Sequence, residues 1–80
     1  MKVMSKTTNL SPEKIIKKAT DYFDGKLGLE IKDQTDNCCI DFRNNLGFVT
    51  LQIFDNVSSR EVKLSTREFE YQIQEFLGKL

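Results

Sequence analysis

The sequence predicts an α+β protein, a two-layer sandwich built in the order helix, four-stranded antiparallel meander, helix. Three observations predict it. Apolar residues recur at helical spacing near both ends of the chain. Between those segments they alternate with polar residues in four short runs. Turn-forming residues separate the runs. Eighty residues make one small domain, spanning 1–80.

Residues 1–10, MKVMSKTTNL, are polar with weak alternation and read as either a tail or a short N-terminal edge strand. The first helix is expected over about residues 12 to 25. Ser11 is a good N-cap, and Pro12 falls at the first helical position, where its missing N–H costs nothing. Glu13 meets the positive end of the helix dipole, and Leu10 and Ile15 are placed as a hydrophobic staple. Ile15, Ile16, Ala19, Tyr22 and Phe23 form the apolar stripe, and Gly25 or Gly28 can end the helix.

The strands follow. In LEIKD, Leu29 and Ile31 share a face. In CCIDF, Cys38, Ile40 and Phe42 lie on one face and Cys39 and Asp41 on the other. In LGFVTLQIF, Val49, Leu51 and Ile53 share a face, and in REVKL so do Val62 and Leu64. A two-residue Asn44-Asn45 turn sets Arg43 opposite Leu46, Asp41 opposite Phe48, Ile40 opposite Val49 and Cys38 opposite Leu51. A four-residue loop at QTDN sets Ile31 opposite Ile40, and one at DNVS sets Leu51 opposite Val62. All three connections put the apolar residues on one face, as a half-buried antiparallel sheet requires.

The last segment, LSTREFEYQIQEFLGKL, is expected to be a helix. Ser65 and Glu68 fit a capping box, with Thr66 as the alternative cap. Phe69, Ile73, Phe76, Leu77 and Leu80 form its stripe. Both helices must bury their stripes, and the sheet has one apolar face, so both helices belong on that face.

Composition narrows the function. Twelve basic and twelve acidic residues cancel, whereas a protein built to grip nucleic acid carries a basic excess. No apolar run reaches the ~20 residues that span a bilayer, so no membrane span is expected. The start lacks the apolar core of a signal peptide, and two cysteines are too few for a disulfide scaffold, which makes the cytoplasm the expected location. There is no histidine. No nucleophile–base pair is recognisable, so no catalytic residue, metal or cofactor is expected and the chain reads as non-catalytic. Adjacent Cys38 and Cys39 read as free thiols on opposite faces, Cys38 in the core and Cys39 outside. Lys14, Lys17 and Lys18 on the first helix, and the mixed charges Glu30, Lys32, Asp41, Arg43, Glu61 and Lys63 on the sheet, read as solvated faces.

The informative anomaly is apolar. If Val49, Leu51 and Ile53 point inward, Leu46, Phe48 and Phe54 point outward beside Cys39, on a face that a monomer would leave wet. Tyr71, off the stripe of the last helix, is a further candidate contact. These residues predict an interaction domain that self-associates as a homodimer or meets a protein partner. The alternative is a small apolar ligand held between sheet and C-terminal helix, lined by Ile40, Leu51, Phe69, Ile73 and Phe76.

The opening stretch MKVMSKTTNLSPEKIIKKATDYFDG, residues 1–25, resembles the start of START-like, polyketide-cyclase-type helix-grip proteins. Those domains run a first strand into a Ser-Pro-Glu-capped helix and end in a long amphipathic helix after an antiparallel sheet. They are longer, with more strands and an extra helix. The resemblance implies a miniature of that fold and a ligand cavity between the sheet and the last helix. It brings no motif residues that transfer as a site.

Overall fold

The computed structural model describes residues 1–35 and 38–80. Five strands form one antiparallel sheet: β1 (Lys2–Thr8), β2 (Glu30–Thr35), β3 (Cys39–Arg43), β4 (Phe48–Asp55) and β5 (Arg60–Arg67). Two helices, α1 (Pro12–Ala19) and α2 (Glu70–Leu77), complete the α+β architecture. The spatial order is β1-β5-β4-β3-β2. The sheet therefore has one strand more than the expected meander. The opening residues form a full edge strand, and this strand pairs with β5, the last in sequence, with Met4 opposite Leu64 and Lys6 opposite Val62.

Helix α1 starts as its sequence dictates. The Ser11 hydroxyl accepts the Lys14 backbone N–H at 3.3 Å. Ile15 is fully buried, with Leu10 packed against the same core. Beyond Ala19 the helix widens into a π-helical segment, Thr20–Lys26, in which the Leu27 N–H reaches back five residues to the Tyr22 carbonyl at 3.2 Å. Gly28, at φ 74°, turns the chain out of the helix, and the Leu29 N–H closes on the Phe23 carbonyl at 2.9 Å.

The faces of β3, β4 and β5 follow the expected parity, but the register differs by two residues; β2 is exposed along its length, and Ile31, expected on the core face, is exposed with it. Asp41 faces Thr50, Ile40 faces Leu51 and Phe42 faces Val49, while Leu51 also faces Leu64 across β4–β5. The β3–β4 connection is therefore a four-residue loop. Asn44 builds it by accepting the Leu46 and Gly47 N–H groups on its side-chain oxygen, at 2.8 and 3.1 Å. A Cβ at Gly47 would collide with the Arg67 carbonyl oxygen, so only glycine lets the loop lie against β5. At the other end Ile31 faces Phe42 instead of Ile40, because β2 pairs with β3 as far as Thr35 opposite Cys39; a bulge between Ile31 and Asp33 then shifts the pairing by one residue and sets Ile31 on Phe42 and not Arg43. Gln34 and Thr35, expected in a loop, belong to β2; the rest of that loop, 36–37, lies outside the described residues.

The last helix starts later than expected. Ser65 and Thr66 continue β5 opposite Thr50 and Val49, so no capping box forms. Glu68 instead occupies the corner at φ 82°, and Phe69 precedes the helix without a side-chain cap. Strand pairing wins because Thr66 is fully buried there and its hydroxyl donates to the Phe48 carbonyl at 2.7 Å. The Lys6 ammonium donates to the Leu77 carbonyl at 3.1 Å, which satisfies the C-terminal end of α2 and ties it to β1.

The core forms between the helices and one sheet face. Phe23 packs against Phe42 and Phe76, with ring centroids 5.3 and 5.2 Å apart, and Ile15, Leu29, Leu51, Leu64 and Ile73 fill the space around them.

Candidate functional site

Strand alternation places the side chains of the outer face. In β4, Val49, Leu51 and Ile53 are buried, so Phe48, Thr50, Gln52 and Phe54 point away from the helices. By the same parity β5 turns Glu61, Lys63, Ser65 and Arg67 outward, β3 turns Cys39, Asp41 and Arg43 outward, and β1 turns Val3 outward. Neither helix covers this face.

One part of it is stitched together by side chains. The Thr50 hydroxyl donates to the Asp41 carboxylate at 3.3 Å, and the Arg43 Nε donates to the same carboxylate at 2.9 Å. The Arg43 guanidinium then lies over the Phe48 ring, 5.2 Å from its centroid. Arg67 pairs with Phe48 from the other side in the register. Phe48 is consequently half-buried, while Phe54, 47% exposed, has no such cover. Leu46 is exposed in the loop beyond Phe48, and Val3 is exposed on β1. Cys39 sits on the same face opposite Gln52.

The structure thus brings Phe48, Phe54 and Cys39 onto one surface, with Leu46 at its end. It does not bring Tyr71 there: Tyr71 lies exposed in the first turn of α2, in the layer that covers the opposite face. The sequence reading passed over Arg43, Arg67, Glu61 and Lys63 as recognition residues. Their alternation was visible, but only the register puts Arg43 and Arg67 on either side of Phe48.

The cysteines differ from expectation. β3 begins at Cys39, so Cys38 lies in the turn before it and is not a strand residue facing the core. Its carbonyl accepts the Ile53 N–H at 2.8 Å. Freed from strand alternation, the two side chains meet, and the sulfurs are joined in a disulfide in place of two free thiols. Both residues are half-buried.

A second candidate lies among the helices. A groove of about 180 Å³ has Tyr22 and Phe76 as its floor and Lys18, Lys26 and Lys79 around it, with Asp21. The Tyr22 hydroxyl donates to Glu75 at 2.9 Å, and the Lys79 ammonium stands 5.0 Å from the Tyr22 ring centroid. Burial, then the neighbouring Glu75 carboxylate, push the Tyr22 phenol up to about 12. It therefore stays protonated at neutral pH and able to donate to Glu75. The surrounding charge is mixed, and Lys17 already pairs with Asp21 at 3.6 Å.

The expected apolar-ligand lining is packed core. Ile40, Leu51, Phe69, Ile73 and Phe76 are each at most 8% exposed and belong to one cluster. Among the described residues no group of three His, Cys, Asp or Glu side chains could hold a metal ion, and no helix is long and apolar enough to cross a membrane. No protein-family model matches the chain, and no curated protein does.

Proposed function

We propose that this chain is a binding domain, not an enzyme, that works through the outer face of its sheet and associates there with a second copy of itself. The observation that carries this reading is the division of labour between the two helices and the sheet. Both helices pack on one face, and the other presents Phe48 and Phe54 to solvent on a surface already ordered by the Thr50–Asp41–Arg43–Phe48 chain. A side chain ordered before binding loses less entropy when it binds.

The size of the face sets the strength expected. Five strands spaced about 4.8 Å apart, with about seven residues at 3.3 Å each, give a footprint of roughly 500 Å². A face this small belongs at the low end of interface sizes, so the dimer should be weak and reversible. Light scattering from low to high micromolar concentration is the test. The mean mass should climb from one chain toward two, and Phe48→Asp should hold it at one. A wild-type chain that stays monomeric throughout overturns the reading.

The helix-grip likeness belongs to the same proposal. The order of strand, helix, antiparallel strands and C-terminal helix supports it. The packed lining residues leave no room for the ligand role that the likeness implies.

A further inference from the structure

The outer face is polarised along its strands. At one end Arg67, Phe48 and Arg43 stand side by side in the register of β5, β4 and β3. At the other end Phe54 stands beside Glu61. Between these rows lie Thr50 beside Ser65 and Gln52 beside Lys63. A surface with an arginine and a ring at one end, and a carboxylate and a ring at the other, complements a copy of itself turned end for end.

We propose that two copies pack outer face to outer face about a two-fold axis running across the strands, midway between Thr50 and Gln52; this rests on the reading of that face given above. The central strand β4 then crosses its own copy, Phe48 meets Phe54 of the partner subunit, and Arg67 meets Glu61 of the partner subunit. Symmetry repeats both contacts. The alternative axis, running along β4, lays β5 of one copy on β3 of the other. It thereby sets Arg67 against Arg43 of the partner subunit, a meeting of like charges.

The dimensions permit the pairing. Phe48 and Phe54 are about 20 Å apart along the strand, so each contact lies about 10 Å from the axis. Face-to-face sheets cross at about 30°, which displaces points at that radius by about 5 Å, or one strand spacing. An arginine side chain spans that displacement. Arg67 and Glu61 are both exposed, so both are available to a partner.

Reversal of charge tests the geometry. Arg67→Glu puts two carboxylates together at both symmetric contacts, and Glu61→Arg does the same with two guanidinium groups; each variant alone should dimerise at least about tenfold more weakly than wild type. An equal mixture of the two should form a mixed dimer of near wild-type strength, because each chain then supplies what the other lacks. The double variant should recover as a homodimer. Sedimentation equilibrium reads the affinities, and native mass spectrometry separates mixed from like pairs by mass. Circular dichroism at low concentration checks the fold, and Arg67→Gln with Glu61→Gln replaces any variant that does not fold, each expected to weaken the dimer less than reversal. If wild type dimerises but the mixture is no tighter than either variant alone, the two-fold pairing is overturned while the face remains the interface. If wild type does not dimerise, the reading of the face itself fails.

Discussion

Leu51 and Thr50 are neighbours in β4 with the same backbone geometry, yet one is fully buried among rings and the other faces solvent beside Asp41. The two faces of this sheet are made by alternate residues of the same strands and differ in what holds them together. The helical side is apolar, with Thr66 its fully buried polar side chain. The outer side is joined by hydrogen bonds and a cation–ring contact among partly exposed groups. The first kind of surface sets whether the chain folds, because buried area is what offsets conformational entropy. The second kind is worth little to folding, since exposed ion pairs contribute about 0–1 kcal/mol, and is left free to specify a partner.

Two phenylalanines put that contrast at its sharpest. Phe42 is fully buried against Phe23. Phe42→Ala should cost about 3–5 kcal/mol, a large share of the stability of a domain this small, and leave the chain partly unfolded at room temperature. Phe54, 47% exposed, should cost less than about 1 kcal/mol when changed to Ala at concentrations where the chain is monomeric. Urea unfolding of both variants in dilute solution measures the difference. Equal costs would break the distinction between the faces.

Thr66 probes the junction between them, since its buried hydroxyl on the core face donates to the carbonyl of Phe48 on the outer one. Thr66→Val keeps the shape and removes the donor. A loss of about 1–2 kcal/mol is expected by the same unfolding measurement, with dimerisation little changed. A loss of dimerisation larger than the loss of stability would show that the two faces are coupled through β4–β5.

A smaller effect, confined to alkaline solution, comes from Tyr22 at the wet margin of the core. Its phenol ionises near 10 in the unfolded chain and at about 12 in the fold. The raised value means that the fold favours the protonated form. That stabilisation is fully present below pH 10 and is lost as pH rises through about 12. The stability difference between wild type and Tyr22→Phe should therefore be constant below pH 10 and shrink between pH 10 and 12. A difference that stays flat over that interval would place the phenol in ordinary solvent.

Much of this division was legible in the sequence. The parity of β3, β4 and β5 is fixed by alternation alone, so Ile40, Phe42, Val49, Leu51, Val62 and Leu64 could be assigned to the core without knowing any register, whereas the bulge in β2 and the turn at Cys38 defeat the same rule for Ile31 and Cys38. The Ser11 cap and the Ile15 stripe were legible because they depend on residues close in sequence. The register was not, because it turns on Gly47 fitting against the Arg67 carbonyl, a contact between residues twenty apart in the chain. The π-helical segment, the pairing of β1 with β5 and the meeting of Cys38 with Cys39 likewise depend on tertiary or turn geometry that spacing does not encode. The outward Phe48 and Phe54 were visible from parity. Their placement at opposite charged ends of the face was not, since that requires Arg67 beside Phe48 and Glu61 beside Phe54.

The last predicted effect concerns where the outer face ends. Alternation in β5 must persist through Arg67 for Arg67 to point outward, and the competing arrangement starts a helix at Ser65 with Glu68 closing a capping box. The two arrangements ask opposite things of Glu68. In a capping box its carboxylate satisfies a backbone donor, so its loss is destabilising, whether to alanine or to glycine. At the corner after β5 it is held at φ 82°, in a region that costs a side-chain-bearing residue about 1–2 kcal/mol and glycine almost nothing. Against that relief stands the extra freedom glycine gives the unfolded chain, about 0.4–1 kcal/mol. Glu68→Gly should therefore leave stability unchanged or raise it by up to about 1.5 kcal/mol, with Glu68→Ala close to wild type, since both side chains bear the same cost at positive φ. A substantial loss with glycine would return Ser65 and Thr66 to the helix, take Arg67 off the sheet and remove one half of the charge pairing on which the proposed dimer rests.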